Sequence, residues 1–411
     1  MSKKYSVAIV GGGASGLICT AKLVSGENAL RGDEVVILEK NDRVGKKLVA
    51  TGNGRGNLFN AKFGEEYYHG DEKFIRDFAK NFRKLNPPAF IEELGVPLAE
   101  EEGKIYPASF QANAVTDILR SFLAFKRVEE KTASEVTEIY REKGGFLLKT
   151  VGGEIFAEKA VLAFGGAASG QFGTEGKSFA LAKRTGHTVT DLLPSLVQLK
   201  TELTHIKGLK GLKENVRIKA VCEGKIVGES EGEILFTDYG VSGNAVFAVS
   251  SRVTDKKEVT LDIEFAPRFT REKLYDLLAY RSKTNYINYN ELLLGIVNKK
   301  IGEAIIKRSC AKELFDDEKT RSVALNKIIN LVKRFRLKVT GNLGLDYAQV
   351  TKGGVKTSEI DPQTYESKKT SSIYIIGEAL DVDGDCGGYN LSFAFCTGMA
   401  AAEDIKDNLC R

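Results

Sequence analysis

The chain has 411 residues, of which 42% are hydrophobic and 28% charged, a composition typical of a globular protein with two or three domains. Glycine is frequent (42 residues) and proline rare (7), which favours an α/β protein rich in tight turns over a disordered chain. No apolar run reaches 18 residues, so we expect no transmembrane helix, and we expect no signal peptide before the first glycine loop. Six scattered cysteines without a CxxC pair predict a reduced, cytoplasmic protein without a structural metal.

The net charge of +5 is unevenly distributed along the chain. Residues 268–338 contain 17 Lys and Arg against 8 Asp and Glu, a surplus of nine positive charges, whereas the rest of the chain carries a net charge of −4. Such a segment could attract RNA or an anionic substrate. It is equally typical of a solvated helical surface, and both interpretations stay open.

The first elements in chain order predict a β-α-β unit. Tyr5–Val10 is rich in apolar and β-branched residues, Leu17–Val24 has helical character, and Asp33–Leu38 is typical of the next buried strand. A glycine-rich loop at 45–60 and several helices follow. An antiparallel meander and a further buried parallel strand, Ala160–Phe164, are then expected. The segments of the meander are Ala133–Tyr140, Gly145–Thr150 and Glu154–Ala157.

The periodicity changes in the middle of the chain. Short alternating strands separated by glycines predict a small β-barrel or sandwich up to residue 265, and apolar residues three and four apart predict helices after it. A strand at Ser372–Ile376 and a helix at 391–408 return to α/β character. We therefore predict an α/β domain made from both chain ends, with two insertions. The predicted limits are 1–195 and 339–411 for the α/β domain, 196–267 for the β-barrel insertion and 268–338 for the basic helical insertion.

The first loop carries the pattern G-x-G-x-x-G in the context that a dinucleotide site needs, after a strand and before a helix. Gly11 permits the tight turn, Gly13 lets the backbone approach a pyrophosphate, and Gly16 allows close packing of helix and strand. The helix N-terminus offers free N–H groups to the phosphates. Glu39, at the end of the second strand, is placed to accept hydrogen bonds from a ribose. The alternative is a merely tight turn between a strand and a helix.

A second glycine site near the C-terminus distinguishes FAD from NAD. The apolar strand ends in Gly377-Glu378-Ala379-Leu380-Asp381, and the pair Gly387-Gly388 opens the last helix. This arrangement suits a flavin whose ribityl chain and ring edge meet a helix N-terminus, and NAD enzymes do not need their C-terminus at the dinucleotide fold. A third glycine-rich segment, 45–57, offers Asn and Arg donors to phosphate or flavin, unless it is only a mobile surface loop.

Taken together, these segments make the sequence resemble, over essentially its whole length, the flavoproteins of the YhiN/BaiN type. The resemblance implies an FAD-binding Rossmann-like domain with an inserted β-barrel and a small helical module. The motifs that carry it are GGGASGL at 11–17, KKLVATGNGRGN at 46–57, FGGAASGQFGTEG at 164–176, ILFTDYGVSGNA at 234–245, VTKGGV at 350–355 and IIGEALDVDGDCGGYNLSFAFCTGMAA at 375–401.

The resemblance also implies a set of residues around FAD. Most of them lie in the glycine segments described above. They are Ala14, Ser15, Glu39, Lys40, Asn53 and Asn57, then Val136 near the adenine, Gly165 and Gly166 after the inner strand, and Glu378, Asp381, Gly388, Asn390 and Leu391 at the flavin end.

Two departures from the family pattern concern proton chemistry. The family loop usually reads Gly-Arg-Cys-Asn, whereas here Gly56 replaces the cysteine. The barrel motif usually contains a histidine and a proline, which here are Asp238 and Asn244. Because a thiol and an imidazole can both exchange protons, their loss suggests a substrate or proton chemistry different from that of the commoner members.

The resemblance implies an oxidoreductase that reduces a C=C bond conjugated to a carbonyl, with FAD as cofactor and NAD(P)H as transient electron donor. Some family members resemble bile-acid 3-oxo Δ4,6-reductases, so the expected substrate is a small enone, steroid-like and anionic. Tyr389, Asp238 and Tyr239 are the candidate proton donors. Each tyrosine could instead be a packed aromatic whose hydroxyl is satisfied by the backbone, and Asp238 could equally be structural.

Three other functions stay open. Reduction of uridine to dihydrouridine in ribosomal RNA would fit the basic 268–338 segment. The missing loop cysteine argues against it, unless Cys386 or Cys396 substitutes. An FAD amine oxidase and a flavin-binding protein without catalysis are the remaining two. Residues 165–170 are better explained as strand-end glycines than as a second nucleotide loop, so NAD(P)H is expected to bind without a Rossmann domain of its own. The sequence does not reveal the oligomeric state.

Overall fold

The structure, a computed structural model, describes residues 4–409. Contacts divide the chain into two units: the first comprises both chain ends, up to Leu193 and from Val350, and the second is Pro194–Gln349. The first contains a Rossmann-type sheet and the second a closed barrel with helices, so the predicted fold class is confirmed. The proposed split of the second unit at 267/268 stays a prediction.

The strands alternate with helices in the first unit and cluster in the second. In chain order the strands are β1 (Lys4–Val10), β2 (Val35–Leu38), β3 (Phe59–Asn60), β4 (Tyr68–Gly70), β5 (Leu98–Glu101), β6 (Lys104–Pro107), β7 (Glu129–Lys131), β8 (Val136–Glu142), β9 (Gly145–Thr150), β10 (Gly153–Leu162), β11 (Leu193–Ser195), β12 (Leu199–Thr201), β13 (Lys213–Cys222), β14 (Lys225–Phe236), β15 (Gly240–Ser242), β16 (Val259–Glu264), β17 (Phe335–Asn342), β18 (Val350–Lys352), β19 (Ile373–Ile375) and β20 (Val382–Gly384).

The α-helices include one long helix that ends the described chain. They are α1 (Ala14–Leu23), α2 (Lys46–Val49), α3 (Glu72–Leu85), α4 (Pro87–Glu93), α5 (Ala112–Phe125), α6 (Phe179–Arg184), α7 (Asn244–Ser250), α8 (Arg271–Arg281), α9 (Lys299–Ser309), α10 (Lys312–Asp316), α11 (Arg321–Lys333) and α12 (Tyr389–Leu409). Within residues 4–409 no helix is both long and apolar enough to cross a membrane.

The main sheet of the first unit has the strand order β7-β2-β1-β10-β9-β8, with β19 also paired to β10. Strands β7, β2, β1, β10 and β19 are parallel, whereas β9 and β8 are antiparallel. The prediction of two separate strands at Glu154–Ala157 and Ala160–Phe164 is wrong, because one strand, β10, runs without a break from Gly153 to Leu162 and contains the first segment and most of the second. Only Glu158 and Lys159 lie between the two segments, and neither residue breaks a strand.

The barrel of the second unit is a closed ring of six antiparallel strands in the order β12-β15-β14-β13-β16-β17. Strand β17 closes the ring because it pairs with both β12 and β16. The prediction of helix over the whole of 268–338 is therefore wrong at its end, where Phe335–Lys338 belong to β17. In sequence, the basic helices α8 to α11 come between β16 and β17, two strands of the same barrel.

Helices α1 and α12 join the two ends of the chain in the first unit. A Cβ on Gly398 of α12 would lie 2.6 Å from the carbonyl oxygen of Ser15 and 3.4 Å from the Cβ of Cys19, both on α1. Only a residue without a side chain permits this approach. The contact holds the first glycine loop beside the C-terminal segment.

Candidate functional site: a cofactor cleft in the first unit

The first glycine loop has the geometry that each of its glycines predicts. Gly11 has a φ of +107°, and a Cβ there would lie 2.5 Å from the carbonyl oxygen of Ala163. A Cβ on Gly16 would lie 2.0 Å from the carbonyl oxygen of Gly11. The space beside Gly13 is open instead, with no heavy atom of the described residues within 4 Å of a Cβ position. The loop therefore packs tightly on one side and leaves its backbone accessible at the place expected for a pyrophosphate.

Helix α1 begins at Ala14, and no described side chain caps its N-terminus, so the first-turn N–H groups can serve an anion. Glu39 follows β2 and is 7% exposed. Its Oε2 accepts from the Gly12 N–H at 2.8 Å, and its Oε1 accepts from the backbone and side-chain nitrogens of Asn41 at 2.8 and 2.7 Å. These bonds fix the carboxylate at the glycine loop, and Oε2 can accept a further hydrogen bond from a hydroxyl.

The loop at 45–57 returns to the first glycine loop. The Gly45 N–H donates to the carbonyl oxygen of Gly12 at 2.8 Å, and Asn53 has a φ of +54° within a tight turn. The Asn57 Oδ1 atom is buried and has no hydrogen-bond partner among the described residues. Because an orphaned buried acceptor is unfavourable, this atom is suited to a donor from a bound group.

The C-terminal glycine pair lies against the same loop. The Asn60 side-chain nitrogen donates to the carbonyl oxygen of Gly387 at 3.0 Å. A Cβ on Gly388 would lie 2.9 Å from Asn57 Oδ1 and 2.5 Å from the carbonyl oxygen of Phe59. The structure thus brings together two glycine segments that are more than 300 residues apart in sequence.

An ion pair joins further predicted segments. The Lys47 ammonium donates to Glu378 at 2.8 Å and to the carbonyl oxygen of Ala168 at 3.2 Å. Glu378 Oε1 also accepts from the backbone N–H and hydroxyl of Thr351, at 2.9 and 3.0 Å. A Cβ on Gly166 would lie 2.7 Å from this carboxylate. Lys47 and Thr351 lie inside the motifs at 46–57 and 350–355 but are not predicted as site residues, because their partner Glu378 is distant along the chain.

The other predicted cofactor residues differ in their surroundings. The Asn390 amide exchanges two 2.8 Å hydrogen bonds with the backbone of Gly384, which fastens the start of α12. Burial raises the pKa of Asp381, whose Oδ2 accepts from the Thr190 hydroxyl at 3.1 Å. Of the remaining residues, Val136 is buried on β8, Lys40 lies beside Gly173, Gly165 has a φ of +78°, and Leu391 packs on the core.

Tyr389, a candidate proton donor, is 4% exposed. Its hydroxyl donates to the carbonyl oxygen of Lys62 at 2.9 Å, and its ring stacks on Tyr67 with centroids 4.6 Å apart. Burial, with Tyr67 beside it, raises the pKa of Tyr389. The hydroxyl therefore keeps its proton and directs it to the backbone.

Asp238 and Tyr239, the other two candidates, belong to the second unit. Asp238 is exposed and pairs with Lys210 at 2.7 Å, which lowers the pKa of its carboxyl. Asp238 is therefore ionised at neutral pH. Tyr239 is half-buried, and burial raises the pKa of its hydroxyl, so it is protonated.

The residues at the glycine segments fit FAD. The open backbone at Gly13 and the uncapped α1 suit a pyrophosphate, Glu39 suits a ribose, and the buried Asn57 acceptor suits a ring N–H. No group of three or more His, Cys, Asp or Glu side chains within residues 4–409 is arranged to hold a metal ion.

Comparisons with known proteins agree with this fit. The family described as HI0933-like protein Rossmann domain matches residues 5–404. A 3-dehydro-bile acid delta(4,6)-reductase of Clostridium scindens is 33% identical over 402 residues, which are 96% of this chain and 97% of the relative. A ribosomal RNA dihydrouridine synthase of Haemophilus influenzae is 27% identical over 417 residues, 99% of this chain and 100% of the relative.

Among solved structures, a 3-ketosteroid delta1-dehydrogenase from Sterolibacterium denitrificans superposes with a TM-score of 0.51 at 14% identity, covering 98% of this chain and 100% of the other. This likeness shows the fold alone. The expected FAD-dependent oxidoreductase class is confirmed by the family match and the curated relatives, whereas the substrate and electron donor are not. The resemblance found in the sequence is likewise confirmed: the chain belongs to the HI0933-like Rossmann family, which it matches over almost its whole length.

Proposed function

We propose that this protein reduces a C=C bond conjugated to a carbonyl in a small, steroid-like and anionic molecule, with NAD(P)H as electron donor. The observation that carries the proposal is the end-to-end similarity, at 33% identity, to a 3-dehydro-bile acid delta(4,6)-reductase. FAD, when bound, supplies transfer of a hydride from NAD(P)H to the β-carbon. A proton added at the α-carbon completes the reduction. We place this activity in the cytoplasm.

Tyr239 and Tyr389 both stay candidate proton donors, because burial raises the pKa of each hydroxyl and each keeps its proton at neutral pH. Asp238 is ionised beside Lys210 and has no proton to give at neutral pH. The Tyr389 hydroxyl is bonded to a backbone carbonyl in a buried position. Tyr239 is protonated and partly exposed, which is the state that a general acid requires before the reaction.

The test is an anaerobic half-reaction. Purified protein with bound FAD is reduced by NADH or NADPH, and a 3-oxo-4,6-diene bile acid is then added while the flavin absorbance is followed. Rapid return of the oxidised spectrum, with one enone reduced per flavin, would support the proposal. Flavin that stays reduced would contradict the steroid substrate. Flavin that neither nucleotide reduces would contradict the donor and favour an oxidase or a flavin-binding protein.

Synthesis of dihydrouridine in ribosomal RNA is the second candidate. The curated relative at 27% identity and the surplus of nine positive charges in 268–338 favour it. Gly56 argues against it, because the family cysteine is absent and the backbone at this position favours glycine. Gly56 has a φ of +74°, and a Cβ there would lie 2.9 Å from the Cα of Ala112. Filter binding of ribosomal RNA over a salt series tests this candidate, since an affinity that does not change with salt concentration would rule out phosphate contacts.

A further inference from the structure

Lys47 lies where three of the predicted cofactor segments meet. Its ammonium contacts both oxygens of Glu378, at 2.8 and 3.2 Å, and the carbonyl oxygen of Ala168 at 3.2 Å. The side chains of Lys47 and Glu378 are 23% and 21% exposed, so the pair is largely withdrawn from water. These acceptors can use all three protons of the ammonium group.

The far side of the carboxylate is fixed as well. Thr351 donates its backbone N–H and its hydroxyl to Glu378 Oε1. The same hydroxyl oxygen accepts from the N–H groups of Ala167 and Ala168 at 2.8 and 2.9 Å. A continuous chain of hydrogen bonds therefore runs from the 164–176 loop through Thr351 and Glu378 to Lys47. Such a chain has one consistent set of donors and acceptors and resists reorientation.

Helix α2, which carries Lys47, cannot hold this geometry by itself. It has four residues and no described side-chain cap, and helices this short are unstable without tertiary contacts. Its anchors are the Gly45 N–H bond to Gly12, the buried side chain of Leu48, and the three contacts of Lys47. The positions of Asn53 and Asn57, further along the same loop, depend on these anchors.

We propose that Lys47 is a positioning residue of the cofactor site. It holds the Glu378 carboxylate in place and ties the 45–57 loop to the 164–176 loop, and so it shapes the cleft before FAD enters. The inference rests on FAD as the cofactor and is independent of the substrate. Removing the ammonium leaves the largely buried Glu378 carboxylate without its counter-charge and removes an anchor of α2. FAD affinity therefore falls, although Lys47 need not touch FAD.

The experiment is a titration of apoprotein with FAD, followed by flavin fluorescence, in the absence of any enone. The variants are Lys47→Met, Lys47→Arg, Glu378→Gln and the double variant of Lys47→Met with Glu378→Gln. Lys46→Met is the matched control, because Lys46 lies on the same helix and pairs with the exposed Asp42 only four residues away. The melting temperature of each apoprotein is measured alongside.

We expect Lys47→Met to weaken FAD binding by about tenfold or more, whereas Lys47→Arg and Lys46→Met stay within about threefold of the wild type. Because Lys47 acts through Glu378, the double variant should bind nearly as well as Glu378→Gln alone. Rescue by arginine and this coupling are results that a general loss of stability would not produce.

Two results would overturn the inference: wild-type affinity in Lys47→Met, or losses from the two single changes that multiply in the double variant. If Lys47→Met does not fold, a Lys47→Arg protein that folds but loses affinity tenfold would also overturn it. A wild-type apoprotein that binds no FAD would overturn the cofactor assignment and this inference together. The enone assay does not enter the titration, so failure of the proposed substrate is seen separately.

Discussion

Gly388, at the start of the C-terminal helix, packs directly on the backbone of Phe59: a Cβ on Gly388 would lie 2.5 Å from the Phe59 carbonyl oxygen, at a φ of +97°. Gly388→Ala must therefore both accept an unfavourable backbone angle and displace β3. We expect a loss of about 2–4 kcal/mol in the free energy of unfolding, and weaker FAD binding. Chemical denaturation of the apoprotein measures the first effect and FAD titration the second.

Gly95→Ala separates the two causes. Gly95 has a similar φ of +92° but no heavy atom of the described residues within 4 Å of its Cβ position. We expect it to lose only the backbone term, about 1–2 kcal/mol, and to bind FAD normally. Equal losses in the two variants would show that the contact with Phe59 contributes nothing.

Gly56 and Gly54 form a second matched pair, within the 45–57 loop. Both have positive φ, +74° and +83°, but only a Cβ on Gly56 would meet a neighbour, the Cα of Ala112 at 2.9 Å. Gly56→Ala should therefore destabilise the protein by about 1–3 kcal/mol more than Gly54→Ala. Thermal and chemical unfolding of the two variants compare them directly.

The same geometry predicts the outcome of restoring the family cysteine. Gly56→Cys should lose stability as Gly56→Ala does, and it should not gain uridine reduction on ribosomal RNA. A stable Gly56→Cys protein that reduces uridine would contradict this expectation and make the RNA candidate the better one.

The sequence predicts local elements well and distant pairings poorly. The β-α-β start is recognisable because short-range periodicity and glycine spacing determine it. The first half of strand β17, Phe335–Lys338, lies in the segment predicted to be helical. A barrel strand that follows four helices is marked only by its pairing with β12 and β16, more than 70 residues earlier. Pairing over such distances leaves no local pattern.

The same contrast between local patterns and distant contacts holds for the predicted cofactor residues. The glycine segments were identified because each carries its own pattern of turns, and their approach in space follows from the parallel sheet. The contact of Lys47 with Glu378 spans 331 positions. A lysine in a loop and a glutamate after a strand are ordinary surface residues in sequence, and only the folded chain shows that they neutralise each other.

Asp381 gives a pH-dependent prediction. Burial raises the pKa of its carboxyl, so the folded protein holds this proton more tightly than the unfolded chain does. This tighter proton binding stabilises the folded protein in full below the pKa of the unfolded chain, about 3.9. The stabilisation is lost as the pH rises through the higher pKa of the folded protein. Asp381→Asn stays neutral and keeps an oxygen for Thr190. The melting temperature of its apoprotein should increasingly exceed that of wild type as the pH rises from about 4 to 7.

Asp238→Asn is the control of opposite sign. Its partner Lys210 lowers the pKa of Asp238, so the wild-type pair stabilises the protein at neutral pH and loses this effect as the pH falls. This variant should show a small disadvantage at pH 7 that disappears in acid, since the pair is exposed. A melting temperature of Asp381→Asn that tracks the wild type at every pH would contradict burial as the cause.

Tyr239→Phe tests one of the candidate proton donors. A general-acid role for Tyr239 predicts that removing the hydroxyl slows flavin reoxidation by an enone about 100-fold. Reduction of the flavin by NAD(P)H and FAD affinity should not change. Tyr347→Phe is the matched control, since Tyr347 lies close enough to Tyr239 to influence its pKa and is itself 61% exposed. Equal slowing in both variants would point to the shape of the surface, and no slowing in Tyr239→Phe would return the proton to solvent or to Tyr389.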